Sequence, residues 1–364
     1  MKGSDMDIQI ITLEKIKSYP HIVLWGLGTY TEEVIALLGE EKIEGIVDSS
    51  ESKWGEKIGK FTIEDPRLLR QRIDVKRCVF MISVASHNYE IAYNLVHEWA
   101  IEENKIFSFT SYFAEKYMYD ANAIMGNEEK IRKTLEIFAD EPSKRYFKNL
   151  IIGKLSRNPI CFKENDNIKK EYYYINKGKD ICVKSGDTIL DCGAYIGDTA
   201  ELFIKQTQKK CKIYCFEPLK GNYEQLCQWI EKCHYENQIV CINTMLSNYS
   251  GKTQIVAPSN TSVSASREVE GEFGNDVRIG TIDEYIDEKV DFIKMDIEGA
   301  ELEALKGAEK IIRKYKPQMM ISAYHRTSHL WEIPERILSI EPQYKIYLGH
   351  QPNAAFEPEF YVSI

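Results

Sequence analysis

Two stretches of this chain repeat one pattern, and that pattern limits the folds open to it. A short apolar run enters a glycine turn, a helix-period run follows, and a second apolar run ends in an acid. The first copy reads HIVL over 21–24, WGLG over 25–28, a helix predicted over 31–38, and IEGIVD over 43–48. The second reads TILD over 188–191, CGAYIG over 192–197, a helix over 198–205, and KIYCFE over 212–217. Parallel strands need helical crossovers, and the crossovers cover both faces of the sheet. Two separate α/β sheets are therefore expected. They divide the 364 residues into a smaller α/β unit over 1–114, a helical connector over 115–165 and a larger sheet unit over 166–364.

The connector carries Leu135, Ile137, Phe138, Tyr146, Phe147, Leu150 and Ile151 at mixed helical spacing. Pro142, just after Asp140-Glu141, suits the first turn of a helix. In the larger unit, further strands are expected over 239–246, 291–296, 319–325, 344–350 and 360–364. The last two are joined by a loop too short for a helix, so they should pair antiparallel at one edge. Between the third and fourth strands lie a short strand, TQIVA, and a Ser/Thr/Asn-rich stretch over 258–266 that predicts a loop, an open candidate for a lid. Residues 298–316 are expected to form a mainly structural helix, with Leu302, Leu305, Ala308, Ile311, Ile312 and Tyr315 as its buried stripe.

Composition excludes several function classes. A formal charge of −9 supplies no cationic field for a polyanion, so nucleic acid is a poor partner. The N-terminus lacks the basic start and unbroken apolar core of a secretory signal, and no run of 18 apolar residues occurs. Nine cysteines, an odd number without a CxxC pair, read as small buried hydrophobes of a reducing compartment. A cytoplasmic soluble enzyme is the expectation.

Open parallel sheets bind ligands beyond the carboxyl ends of their strands, where the strand order reverses. In the larger unit the notable polar residues fall there. Asp191 closes the first strand, Glu217 the second, Asp296 and Glu298 the fourth, and His325 the fifth. A single acid at a strand end is usually a turn former; this succession is a constellation. In the first turn, Gly193 lets the backbone bend sharply and approach a ligand. Gly193 and Gly197 are four apart, so the turn is not GxGxxG. Asp198 at the helix start would repel a pyrophosphate, although Asp198 or Thr199 could equally be an ordinary N-cap. A ribose-bearing ligand with positive charge fits better, and Glu217 is placed to accept both ribose hydroxyls.

The phrases GDTILDCGAYIGDTAELF, IYCFEPLKGNYEQL, TIDEYIDEKVDFIKMDIEGAELEALKGAEKIIRKYKP, ISAYH and LWEIPERI occur in this order. They resemble the FkbM family of S-adenosylmethionine-dependent methyltransferases over about residues 170–350. The resemblance implies a class I methyltransferase fold, a seven-stranded sheet that is parallel except for its last strand. It also implies methyl transfer to an oxygen, typically a hydroxyl of a sugar or secondary metabolite. Asp191, Gly193, Ala194, Tyr195, Gly197, Asp198 and Thr199 would then form the cofactor turn, and Glu217 would hold the ribose. Leu246 and Ser247 would flank the adenine, with Asp296, Glu298 and His325 at the reacting end. His329 stands where relatives carry an acid, and no role is placed on it.

For proton removal His325 is the first choice, because an unperturbed imidazole with a pKa of about 6.5 is largely free base at neutral pH. Its bland alternative is a helix-capping or sheet-bonded histidine. Asp296 could be base, substrate ligand or metal ligand. His325 and His329 have the i, i+4 spacing of metal ligands, yet a metal stays open and no residue is assigned to one.

The smaller unit resembles the Rossmann-like domains fused to sugar-modifying enzymes. Gly26, Gly28, Thr29 and Asp48 are its candidate nucleotide site, with Asp48 at the spacing of a ribose-binding acid. A second loop, SVASHN over 83–88, ends another apolar run. A fold kept for packing or dimerisation is the alternative, and a homo-oligomer is left open. The expectation is an O-methyltransferase acting on a sugar, glycan or nucleotide-sugar. The alternatives are an NAD-dependent sugar oxidoreductase, or a catalytically inactive nucleotide-sugar-binding regulator.

Overall fold

The computed structural model describes residues 10–28, 31–84, 87–109, 119–162, 168–170, 173–176, 179–256, 267–268, 275–350 and 357–364. Two large sheets organise it. The first has six strands, ordered Lys57–Ile58, Phe61–Glu64, Ile43–Val47, Ile22–Trp25, Val79–Ile82 and Ile106–Ser108. All neighbours run parallel except the first pair, a hairpin at the edge. The helix Thr31–Leu38 follows the first strand as expected, burying Val34, Ile35 and Leu38 against the sheet.

The second sheet has seven strands, ordered Ile239–Ile242, Lys212–Phe216, Thr188–Cys192, Phe292–Met295, Gln318–Ser322, Pro358–Ser363 and Lys345–His350. Pro358–Ser363 alone runs against its neighbours, slotted between Gln318–Ser322 and Lys345–His350. The expected antiparallel pair is present, with the last strand inside and the sixth at the edge. Strand order reverses at Thr188–Cys192, flanked by Lys212–Phe216 on one side and Phe292–Met295 on the other. That reversal opens the crevice where such sheets bind ligands.

Three elements differ from expectation. The apolar run 239–246 breaks after Ile242. Asn243 donates to Glu217 O at 2.8 Å, while Thr244 bonds Tyr285 Oη at 2.9 Å, so both side chains pull the backbone out of the sheet. Met245–Leu246 then joins a smaller four-stranded sheet with Gly251–Val256, Arg267–Glu268 and Asn275–Gly280. The candidate lid over 258–266 lies outside the described residues. A three-stranded antiparallel meander, Ile168–Lys170, Tyr173–Asn176 and Lys179–Ile181, adds to the expected elements. It is anchored by buried Tyr174, whose ring lies 5.2 Å from those of Tyr347 and Tyr361. The stripe 298–316 forms two helices, Glu301–Lys306 and Glu309–Tyr315, parted at Gly307. A Cβ on Gly307 would lie 2.0 Å from Ser247 O, so the chain bends around that contact.

The connector holds helices Ala121–Gly126, Glu128–Ile137 and Glu141–Ser156. Asp140 caps the last of them by accepting from Ser143 N at 3.0 Å, with Pro142 in the first turn. Phe138, Tyr146, Phe147 and Leu150 share one apolar cluster with Ile346, Leu348 and Phe360. Ser143 Oγ also accepts from Leu348 N at 2.9 Å. These helices are thus a covering layer of the seven-stranded sheet. Among the described residues no helix is long and apolar enough to cross a membrane.

Candidate active site

Asp191 and Lys294 face each other across neighbouring parallel strands. Both are buried, and Lys294 Nζ stands 3.1 Å from Asp191 Oδ1 while donating to Gly193 O at 2.7 Å. Burial raises the Asp191 carboxyl above the usual range, and Lys294 works against that rise. The pair therefore sits beneath the first turn and fixes it. Above it, Gly193 has φ +83°, and a Cβ there would lie 1.9 Å from Asp296 O. The turn crosses directly over the end of Phe292–Met295, so only glycine fits.

From there Gly193 N and Ala194 N both donate to Phe216 O at 3.0 Å. Tyr195, at φ +49°, donates its N–H to Glu217 Oε2 at 3.0 Å. The N-cap of helix Asp198–Gln206 is Gly197, in the left-handed region, rather than Asp198 or Thr199. Gly197 packs on Trp229, which a Cβ would approach to 2.6 Å, and a side chain there has no room to cap. Asp198 is the first helical residue and is exposed to solvent.

Glu217 is buried at the end of its strand. Its Oε1 accepts from Leu219 N at 2.9 Å and lies 3.4 Å from Asn222 Nδ2. Burial pushes its carboxyl up to about 7, against the pull of the Leu219, Asn222 and Tyr195 donors. Three of about four lone-pair directions are used, leaving acceptor capacity at the cleft.

At the opposite end Asp296, Glu298 and His325 come together. Tyr324 Oη donates to both Asp296 oxygens, at 3.0 and 3.1 Å. Glu298 sits at φ +58°, a conformation that costs a non-glycine residue energy and recurs at functional sites. His325 is only 2% exposed. Its Nδ1 is 3.0 Å from Glu301 Oε1, and its Nε2 is 3.4 Å from Asp296 Oδ1 and 3.5 Å from Glu298 Oε2. Burial acts to lower its pKa, but Glu301, Asp296 and Glu298 outweigh burial and raise it to about 9. The expected free imidazole base is corrected accordingly: encircled by carboxylates, His325 favours a cationic state.

Glu301, fully buried, is pushed up by burial but brought down to about 2 by His325 and His329. Its Oε2 lies 3.3 Å from His329 Nδ1. The i, i+4 histidines therefore turn their Nδ1 atoms onto the two oxygens of one glutamate, rather than onto a shared ion. Among the described residues the group spaced to hold a metal is Asp296, Glu301 and His325.

A cleft of about 700 Å³ joins the two ends. Of the predicted residues, Gly193, Tyr195, Glu217, Leu246, Ser247, Asp296, Glu298 and His325 line it. Asp191, Ala194, Gly197, Asp198 and Thr199 do not; they shape the turn from behind or face away. Sequence reasoning missed Lys294, Tyr324 and Arg326, the last a cleft-lining cation, and placed Glu301 near the site without giving it a role. Lys294 had a signal, since a lysine inside a buried parallel strand demands a buried counter-charge. Glu301 looked like an ordinary acid in a helix's first turn.

The first sheet presents a different picture. Asp48 Oδ2 accepts from Leu27 N at 2.8 Å and Lys53 Nζ at 3.0 Å, and Oδ1 accepts from Ser50 N at 2.8 Å. Both oxygens of the expected ribose acid are engaged locally. Gly26, at φ +102°, leaves no room toward Val84, whose Cγ1 would lie 2.2 Å from a Cβ. Gly28 N donates to Thr31 Oγ1 at 2.8 Å. Thr29, and residues 85–86 of the second loop, lie outside the described residues.

Comparison with known proteins agrees with the geometry of the second sheet. Residues 191–346 match the family model described as the methyltransferase FkbM domain. The crystal structure of methyltransferase FkbM from Methylobacillus flagellatus KT is similar over 94% of this chain and 90% of that one, at 21% identity and a TM-score of 0.72. At that identity the likeness speaks for the fold. An rRNA methylase from Streptococcus thermophilus matches 50% of this chain and 86% of its own, at 13% identity and TM-score 0.33. A SAM-dependent O-methyltransferase from Thermotoga maritima matches 50% and 60%, at 12% identity and TM-score 0.33. No curated protein matches the chain. The seven-stranded sheet has the class I methyltransferase fold, and residues 191–346 within it match the methyltransferase FkbM domain.

Proposed function

We propose that the protein transfers a methyl group from S-adenosylmethionine to a hydroxyl oxygen of a sugar, a glycan or a nucleotide-linked sugar. The observation that carries this reading is a single cleft with Glu217 at one end and Asp296, Glu298 and His325 at the other. The bare Gly193 turn and the buried, incompletely used Glu217 acceptor suit a ribose-bearing cofactor. When bound, S-adenosylmethionine supplies a methyl group already activated by its cationic sulfur.

The chain's own residues then have two tasks. Glu217 and the turn hold the nucleoside so that the acceptor oxygen can be set in line with the methyl carbon, an alignment worth effective molarities of about 10⁵ M or more. Asp296, steadied through both oxygens by Tyr324, accepts the hydroxyl hydrogen and then its proton. Such a positioned base contributes about 10²–10⁴-fold. The concentration of acceptor groups at this end favours a hydroxyl-rich substrate. The nine unpaired cysteines suit a reducing cytoplasm. Residues 1–114 act as a packing unit in this reading, since Asp48 and Gly26 are occupied within the fold; 115–165 and 166–364 complete the methyltransferase.

Calorimetry with S-adenosylmethionine, S-adenosylhomocysteine, NAD and UDP-sugars tests it, followed by transfer of labelled methyl to sugar and nucleotide-sugar panels. The expected result is binding of the two sulfur nucleosides and a methyl ether product, with Asp296→Asn about 10²–10⁴-fold slower. Binding of NAD without either sulfur nucleoside, or label recovered on nitrogen or carbon, would overturn the reading.

A further inference from the structure

We propose that Arg326 selects the acceptor, and that the sugar whose hydroxyl faces Asp296 carries an oxyanion, a carboxylate or a phosphate, close to that hydroxyl. This rests on the methyl-transfer reading and narrows its substrate class. Arg326 is the one arginine or lysine among the described residues that line the cleft. It follows His325 directly and so stands at the acceptor end, beyond the carboxyl end of Gln318–Ser322. The Gly193 turn, which serves the cofactor in this reading, lies two strands away at the end of Thr188–Cys192.

Two features set this side chain apart from an ordinary solvated arginine. Its stem is seated: Nε lies 3.1 Å and Cγ 3.8 Å from the place a Cβ would take on Gly299, which has φ +99°. A glycine there lets the arginine cross close against the segment that follows Asp296 and Glu298. Its head is also unengaged. Glu298, Glu303 and Glu332 line the same cleft, yet among the described residues the guanidinium makes neither a hydrogen bond nor an ion pair. Coulomb attraction draws a freely hinged arginine toward such carboxylates, and a stem seated on Gly299 is not free to follow. The charge of His325 is already matched by Glu301, Asp296 and Glu298. Among the described residues of the cleft, Arg326 is therefore the cation left to meet a substrate. Ser328 adds a hydroxyl beside it. That serine precedes helix His329–Ile340 without making a capping hydrogen bond, and it lines the cleft. A planar fork of donors matches the paired oxygens of a carboxylate or phosphate, whereas a neutral polyol offers it no charged partner.

The probes are two matched pairs, glucuronic acid against glucose and glucose 1-phosphate against methyl glucoside. They are titrated calorimetrically into the full chain with and without S-adenosylhomocysteine, and labelled methyl transfer to the same sugars follows. The wild type should prefer the acidic member of one pair by about 10-fold or more, and the pair that responds separates carboxylate from phosphate. Arg326→Gln should weaken that member about 10–100-fold, through lost charge-assisted hydrogen bonds, and erase the preference. Arg326→Lys, which keeps the charge without the fork, should retain part of it. Lys310→Gln, at an exposed lysine outside the cleft, should leave the preference unchanged. No acidic preference in either pair, or a preference that survives Arg326→Gln, would overturn the inference. So would an Arg326→Gln variant that weakens S-adenosylhomocysteine but not 5′-methylthioadenosine, which lacks the amino-acid carboxylate, because the arginine would then serve the cofactor. Acid-selective sugar binding without S-adenosylhomocysteine binding or methyl transfer would refute the transferase reading alone.

Discussion

Replacing Gly193 by alanine tests whether the first turn and the acceptor end are one mechanical unit. Two costs can be separated by pairing it with Gly186→Ala. Gly186 has φ +99° and nothing within 4 Å of a built Cβ, so that substitution carries conformational strain only. Such strain is about 1–2 kcal/mol for an L residue in the left-handed region. Gly193, at φ +83°, adds a Cβ only 1.9 Å from Asp296 O and 3.3 Å from the Ile297 side chain. The Asp296 backbone is held just past the strand end by its own N–H on Cys192 O at 3.0 Å, so an overpacking cost of about 1–3 kcal/mol is added. The sums are about 1–2 kcal/mol for Gly186→Ala and 2–5 for Gly193→Ala. At roughly 2–4 °C per kcal/mol for a unit of this size, Tm should fall by about 2–8 °C and about 4–20 °C respectively. Differential scanning calorimetry with and without S-adenosylhomocysteine reads both effects. Gly193→Ala should also lose most of the ligand's stabilisation, because relieving the clash moves Asp296, while Gly186→Ala should keep it. Equal Tm losses in the two variants, or undiminished ligand stabilisation in Gly193→Ala, would refute the reasoning.

Other substitutions separate the remaining roles. Glu217→Ala should weaken S-adenosylhomocysteine by about 1.5–3 kcal/mol, the loss of charge-assisted hydrogen bonds, measurable by calorimetry. Because burial raises the Glu217 carboxyl to about 7, protonation converts an acceptor into a donor as pH falls. Wild-type affinity should therefore rise from pH 6 to pH 8, and Glu217→Gln should show no such slope. Lys294→Met leaves the Asp191 carboxylate buried without its counter-charge, at a cost of about 3–5 kcal/mol near neutral pH. A carboxyl raised in the folded state favours the protonated form, so urea melts should show this deficit shrinking toward pH 4; a constant deficit would argue against the pair. Asp48→Ala should destabilise the first sheet by about 1–3 kcal/mol through its orphaned N–H partners, without changing affinity for any nucleotide.

The elements with local causes are legible in the sequence. Helix Thr31–Leu38 follows from its apolar spacing, and Glu141–Ser156 from its Asp140 cap and Pro142. The strand-end residues Glu217, Asp296, Glu298 and His325 are also legible, because a parallel sheet delivers its strand ends to one crevice whatever the loops do. The break after Ile242 is not, since Thr244 leaves the strand for Tyr285, 41 residues away. Nor is the use of Asp48, whose spacing matches a ribose acid while its oxygens serve its own loop.

By itself, then, the amino-acid sequence determined two α/β sheets and the chemistry gathered at the ends of the second one's strands. Periodicity, turn residues and caps act over a few residues and can be read from them. Only the tertiary structure decided the state of each group. His325 becomes a cation-favouring imidazole because Glu301 lies behind it and Asp296 and Glu298 in front. Asp191, expected in the cofactor turn, becomes the buried partner of Lys294. Charge and burial depend on what else is brought within a few ångströms, and in both cases the decisive neighbour arrives on another segment of the chain.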